Sequence, residues 1–242
     1  MKIRCIGTGT MGSTQRGNQS IMVDDEILFD IGSGVVKKLE QLKVYTKPIK
    51  YLLITHVHAD HFVDLPNYLI GRSIRGEDQR MLYIFCGKGI REKVIQLFEL
   101  CFGNGNKEKY EDFNKKFNVK FFELGDGEYV QTAEMKITAY ELQHGDCKPI
   151  LGFTLEKDDK TIGYATDTTL CDNVKKICEK SDCAFLDATR MNATNSHMGL
   201  EDVINISEEF PNKKIYAIHR NDDVYKENTN VEFPNDGDII EI

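Results

Sequence analysis

Three of the six histidines fall within six residues, in His56-Val57-His58-Ala59-Asp60-His61, directly behind the apolar run Tyr51–Thr55. In extended backbone, residues i and i+2 point to the same side, so His56 and His58 can hold one cation together. The chain then turns into a helix, where adjacent side chains diverge. Asp60 and His61 can therefore face a second position. Imidazoles and carboxylates are the usual ligands of zinc in catalytic sites. Four ionisable groups at one strand end are costly to hold close together without a cation among them. The motif predicts metal binding.

The remaining candidates also stand where apolar runs stop. His144 lies in Leu142-Gln143-His144-Gly145 and Asp167 in Tyr164-Ala165-Thr166-Asp167-Thr168. His219 closes Ile215–Ile218, and Asp187-Ala188-Thr189 precedes Ser196-His197-Met198-Gly199. A carboxylate can bridge two cations through its two oxygens, which an imidazole cannot. Gly7-Thr8-Gly9-Thr10-Met11-Gly12 matches the dinucleotide-binding spacing, but that fingerprint needs a helix straight after it. Here the turn-rich Ser13–Gln19 leads into another strand. It reads instead as a flexible glycine loop near the site mouth, whose amides could help hold an anionic substrate.

Apolar runs and helical patterns alternate along the chain that must position these groups. Strands are expected at Lys2–Ile6, at Ser20–Val23 and Glu26–Asp30 across an Asp24-Asp25 turn, and at Tyr51–Thr55 and Leu82–Cys86. Further strands are expected at Val119–Leu124, Glu134–Leu142, Leu151–Leu155, Thr161–Thr166, Cys183–Asp187, Ile215–His219 and Asp238–Ile242. Helical spacing marks Val35–Val44, Pro66–Ile74, Ile90–Phe102, Leu170–Lys180 and Leu200–Phe210. The polar stretch Asn104–Asn118 reads as a surface excursion with a helix through Tyr110–Phe117. No long linker or solenoid repeat interrupts the pattern, so residues 1–242 are expected to form one layered α/β domain.

With 242 residues and 40% hydrophobic composition, the chain can bury one sizeable core. Its net charge of −8 weighs against gripping a long nucleic acid by its phosphates. Seven cysteines, scattered and without a Cys-x-x-Cys pair, predict reduced thiols rather than a disulfide framework. Met1–Gly7 reaches glycine too soon for a signal-peptide apolar region, and no apolar run approaches a membrane span. A cytoplasmic protein with no membrane partner is expected.

On Ile54-Thr55-His56-Val57-His58-Ala59-Asp60-His61 and the motifs around His144, Asp167, Asp187, His197 and His219, the sequence resembles the metallo-β-lactamase superfamily, ribonuclease Z-like branch. The resemblance runs from about residue 1 to about residue 220. It implies a four-layer αββα sandwich, two mixed β-sheets flanked by helices. It also implies two Zn2+ per chain, one held by His56, His58, His144 and Asp167, the other by Asp60, His61, Asp167 and His219. Mn2+ or Fe2+ could also occupy the site. Di-iron members typically carry Glu where His58 stands, so this set favours zinc and hydrolysis. Asp60 would also orient or deprotonate the attacking water. His197, not needed as a ligand, would contact the phosphate or protonate the leaving oxygen, with Asp187 orienting it.

Bacterial ribonuclease Z enzymes carry a tRNA-clamping arm between the motifs matching His144 and Asp167. Here that interval holds only a hairpin. The expected substrate is therefore a small or short phosphodiester, such as a cyclic nucleotide or oligonucleotide. RNA, through tRNA 3′ processing, is the second reading. Hydrolysis of an ester, thioester or lactam is a third, and a non-catalytic metal-binding module is the alternative of another class. Members of this branch commonly form homodimers, which is the assembly expected here.

Overall fold

The computed structural model describes residues 1–44, 49–77, 79–103 and 113–242. Two seven-stranded mixed sheets lie at its centre. The first contains β1 (Lys2–Gly7), β2 (Ser20–Val23), β3 (Ile27–Phe29), β4 (Tyr51–Leu53), β5 (Leu82–Gly87), β6 (Val119–Leu124) and β14 (Ile239–Glu241), in the order β14-β1-β2-β3-β4-β5-β6. Pairing is antiparallel from β14 to β3 and parallel from β3 to β6. The second contains β7 (Tyr129–Gln131), β8 (Lys136–Glu141), β9 (Leu151–Lys157), β10 (Lys160–Ala165), β11 (Cys183–Asp187), β12 (Lys214–Ile218) and β13 (Val231–Glu232), in the order β13-β12-β11-β10-β9-β8-β7. Its β10-β11-β12-β13 half is parallel.

Three apolar layers account for the sandwich. Helices α1 (Val35–Gln41), α3 (Leu65–Ile74), α4 (Ile90–Phe102) and α5 (Phe113–Phe117) pack on the first sheet through Leu39, Leu65, Leu69 and Val94 against Leu28, Leu52 and Ile84. Between the sheets, Phe29, Leu53 and Phe85 meet Phe153, Tyr164 and Phe185. On the far face, α6 (Asp172–Lys180) and α7 (Leu200–Glu209) bury Val174, Ile177, Val203 and Ile206 against Leu186 and Ala217. β4 is apolar and buried throughout because both its faces are covered.

Both Asp-Asp pairs form hairpin turns, Asp158-Asp159 as a two-residue loop and Asp24-Asp25 within a three-residue loop that ends in Glu26. Asp24 and Asp25 have φ of 50° and 57°, and Asp158 and Asp159 have 51° and 57°. Positive φ at both central positions is what this tight turn requires, and aspartate tolerates it. Lys157 joins them, its Nζ 2.6 Å from Asp24 Oδ2, so one sheet's hairpin is tied to the other's.

The expected elements differ from the observed ones mainly at their ends. α1 stops at Gln41, not Val44, because Lys43 takes a left-handed φ of 54°. β4 stops at Leu53, because the Thr55 amide is captured by the Asp30 side chain instead of a neighbouring strand. Of the helix expected at Tyr110–Phe117, α5 supplies Phe113–Phe117, and residues 104–112 lie outside the described ones. β7 and β13, three and two residues long, are additional.

Candidate metal centre

Every group singled out as chemical, except His197 in the loop between β11 and α7, lies at or just past the C-terminal end of a strand. His56, His58, Asp60 and His61 follow β4, and His144 follows β8. Asp167 follows β10, Asp187 ends β11, and His219 follows β12. Backbone pairing stops there, which frees side chains from both sheets to converge in one crevice. His58 caps the short helix α2 (Ala59–Phe62), whose first turn carries Asp60 and His61. Asp167 and His219 have φ of 52° and 53°. A left-handed residue at a strand end costs energy, and such strain recurs where a side chain must be aimed.

The structure brings all seven proposed ligands together. Among the described residues three groups could hold a cation: His56-His58-His144-Asp167 and Asp60-His61-Asp167-His219, which share Asp167, and Asp187-His197-His219, which shares His219 with the second. The two oxygens of Asp167 divide between the first two. Oδ2 lies 3.8 Å from Nε2 of both His56 and His144. Oδ1 lies 3.1 Å from His61 Nε2 and 3.2 Å from His219 Nε2. Asp60 Oδ2 is 3.6 Å from His61 Nε2 and 3.4 Å from His219 Nε2.

The outer nitrogens of the imidazoles are held from behind. His61 Nδ1 donates to Asp30 Oδ2 at 2.9 Å, and His144 Nδ1 to the Ser196 carbonyl at 2.8 Å. The Thr55 hydroxyl donates to Asp30 and accepts from His56 Nδ1 at 3.0 Å. The Thr189 hydroxyl donates to Asp187 and accepts from His219 Nδ1 at 2.9 Å. These contacts leave the Nε2 lone pairs directed into the cluster. There the buried Nε2 atoms of His56 and His61 find no hydrogen-bond partner, and His144 Nε2 faces His58 Nδ1 at 3.2 Å. The His56 Nε2 is a buried acceptor with nothing to accept from, the His61 Nε2 faces Asp167 without hydrogen-bond geometry, and a divalent cation in each of the two groups that share Asp167 would satisfy both. The residues present therefore fit two metal ions.

Charge points the same way. Burial pushes the His56 pKa well below its ordinary value, and the nearby His61 adds to this. Burial and then His144 lower that of His58. Burial opposes charge on His61 too, but Asp167 and Asp30 outweigh it and hold its pKa well above normal. For His219 burial is likewise outweighed, by Asp167, Asp187 and Asp60, and its pKa rises to about 10. Asp60 and Asp167 stay ionised despite their burial because these imidazoles surround them. A cluster negative enough to retain protons on buried imidazoles will exchange those protons for cations.

His197 lies outside the two groups that share Asp167. Its ring stacks at 5.4 Å on His219 and meets His144 edge-on at 4.6 Å. Its Nδ1 is 2.8 Å from Asp187 Oδ2. Asp187 is fully buried and also accepts from the amides of Thr168 and Thr189. Its pKa is lowered, because His197 and His219 outweigh its burial.

Asp30, Thr55, Ser196 and Thr189 were not foreseen. The one signal was Asp30 closing an apolar run before Gly32 and Gly34. Gly32 is required, since a Cβ there would lie 1.6 Å from the Asp60 carbonyl oxygen. Ile31 and Ser33 donate to the His61 and Ala59 carbonyls on either side of it. The glycine loop behaves differently from expectation. Its amides at Thr8, Thr14, Gln15 and Gly17 donate to Asp236 and Asp222, and that at Gly12 to Thr10 Oγ1. They are spent inside the protein and do not serve an anionic substrate.

The chain is similar to a ribonuclease Z of Staphylococcus carnosus, 27% identical over 163 residues, covering 64% of this chain and 49% of that one. It spans about half the length of the curated relatives it matches. Among solved structures, a diphosphatase of the PhnP family superposes with a TM-score of 0.76 at 19% identity, over 100% of this chain and 97% of that one. Human tRNase Z, short form, superposes with 0.77 at 19% identity, over 100% and 99%. The fold is the metallo-β-lactamase fold, and the resemblance to its ribonuclease Z-like branch holds. The family described as anti-Pycsar protein Apyc1 matches residues 1–236.

Proposed function

The chain belongs to the family of the anti-Pycsar protein Apyc1, and within it we propose a dinuclear-zinc hydrolase that cleaves a small or short phosphodiester, such as a cyclic nucleotide or short oligonucleotide. The observation that carries this reading is the division of Asp167, one oxygen toward His56 and His144, the other toward His61 and His219. His56, His58, His144 and Asp167 would hold one cation, and Asp60, His61, Asp167 and His219 the other. Two adjacent divalent cations, when bound, make a hydroxide nucleophile available near neutral pH and neutralise phosphate charge.

The chain's own residues supply the rest. Asp60, buried beside His61 and His219, would orient the attacking water and take its proton. Asp187 holds His197 by Nδ1, which leaves Nε2 to meet the phosphate or to protonate the departing oxygen. The His197 side chain is 18% exposed, so a substrate can reach it.

Ribonuclease Z relatives supply the second reading, tRNA 3′ processing. β9, a two-residue turn and β10 take up most of the interval between His144 and Asp167, which favours the smaller substrate. We further read residues 1–242 as one domain that forms a cytoplasmic homodimer. Among the described residues no helix is long and apolar enough to cross a membrane.

The test is a panel assayed with zinc-loaded protein: bis-p-nitrophenyl phosphate, 3′,5′-cyclic nucleotides, a precursor tRNA, nitrocefin and a thioester. Turnover of the first two alone is expected. Cleavage of the tRNA at its 3′ end would move the assignment to the second reading. Bound metal without turnover on any member would leave the binding module.

A further inference from the structure

We propose that Arg190 recognises a second phosphate on the substrate, one that is not cleaved. The inference rests on the phosphodiesterase reading and names a feature of the substrate it selects.

Arg190 follows Thr189, whose hydroxyl touches the rings of both His197 and His219. Its side chain is exposed and lines a recess of about 420 Å³ together with Asn192, Thr194, Asn221 and Asp223. Two hydrogen bonds tie the lining of the recess to the backbone of residues at the metal centre. Thr194 Oγ1 accepts the His197 amide at 3.0 Å, and the Asn221 amide donates to the Thr189 carbonyl at 3.2 Å. Among the described residues the Arg190 guanidinium has neither an ion pair nor a hydrogen bond. Asp223 shares the recess without pairing to it. By contrast, Lys148, in the neighbouring groove beside His144, has Glu141 at 3.6 Å.

An uncommitted guanidinium is a planar fork of donors that matches phosphate in two parallel bonds. In a recess whose Thr194 holds the His197 amide, in a chain of net charge −8, it is suited to an anion entering with the reacting group. A phosphate bound at the metals leaves the rest of the substrate to cross the His197 loop, where Arg190 would meet the second one.

The zinc-loaded protein is titrated with adenosine 5′-monophosphate and with adenosine 3′,5′-bisphosphate. The bisphosphate is expected to bind about 10-fold tighter, the gain typical of one charge-assisted contact. Arg190→Gln should erase that advantage, with zinc content and melting temperature unchanged. Arg190→Lys should keep part of it, retaining the charge but not the fork. Equal affinities in the wild type, or an advantage that survives Arg190→Gln, would overturn the proposal. Failure of the phosphodiesterase reading would appear separately, as absence of turnover on every diester, while the titration still decides the role of Arg190.

Discussion

Asp187 Oδ2 stands 2.8 Å from Nδ1 of His197, and the same carboxylate reaches His219 through the Thr189 hydroxyl. One buried acid therefore sets the ring orientation of a proposed metal ligand and of a histidine outside the two groups that share Asp167. His197→Ala is expected to lower kcat by about 10²- to 10⁴-fold, the range for losing a positioned acid. Zinc content, read by atomic emission, should stay at two per chain. Unchanged turnover would remove His197 from the reaction.

Asp167 is shared between both groups, so its loss should disturb both cations. Asp167→Ala is expected to drop bound zinc below one per chain and to abolish turnover. Chelation of the wild type should abolish turnover likewise, with recovery on adding Zn2+ or Mn2+. Because the metals bind only the folded chain, chelation should also lower the melting temperature.

Asp30 touches no proposed metal position, yet it holds His61 Nδ1, the Thr55 amide and the Tyr164 hydroxyl. Asp30→Asn keeps the shape and loses the charge. Removing such a partner typically weakens metal affinity about 10- to 100-fold. Competition against a chromogenic chelator measures it, and an unchanged affinity would show Asp30 to be merely structural.

Gly32 and Gly34 make a paired test. At Gly32 a Cβ would collide with the Asp60 carbonyl, whereas at Gly34 it meets nothing within 4 Å and only a φ of 85° resists it. Gly34→Ala should cost about 1–2 kcal/mol of stability and spare turnover. Gly32→Ala should displace the metal loop and abolish zinc uptake, even where circular dichroism shows a folded chain.

Buried thiols give the protein an alkaline limit. Burial pushes Cys5, Cys178 and Cys183 up to about 12, and Cys86 higher still. An unfolded cysteine ionises near 8.5. Above that pH the unfolded chain binds fewer protons than the folded one, so folding stability falls from about pH 8.5 toward 12. Melting temperatures should decline from pH 8 to pH 10. At pH 8, Ellman's reagent should find Cys101, Cys147 and Cys171, the cysteines with exposed surface, before the other four.

The seven proposed ligands were legible in the sequence because their chemistry is unusual for their setting: imidazoles and carboxylates where apolar strands end. The groups behind them were not. Thr55, Thr189 and Ser196 are ordinary residues, and their importance lies in which ring nitrogen they happen to face. No spacing rule reports a contact between residues 52 apart, as His144 and Ser196 are. The long strands were legible from their apolar runs, while β13, with two residues, offers no periodicity to read. The glycine loop misled because a spacing of glycines does not say where their amides are spent.

The two halves of the crevice come from different sheets, and His219 is the last contributor along the chain. A growing polypeptide therefore carries an unfinished centre from the emergence of His56 to that of His219. Until residue 219 has emerged and β12 has docked beside β11, one cation position lacks a donor. The paired cluster is completed late, after the first sheet's ligands and most of the second sheet's are already in place.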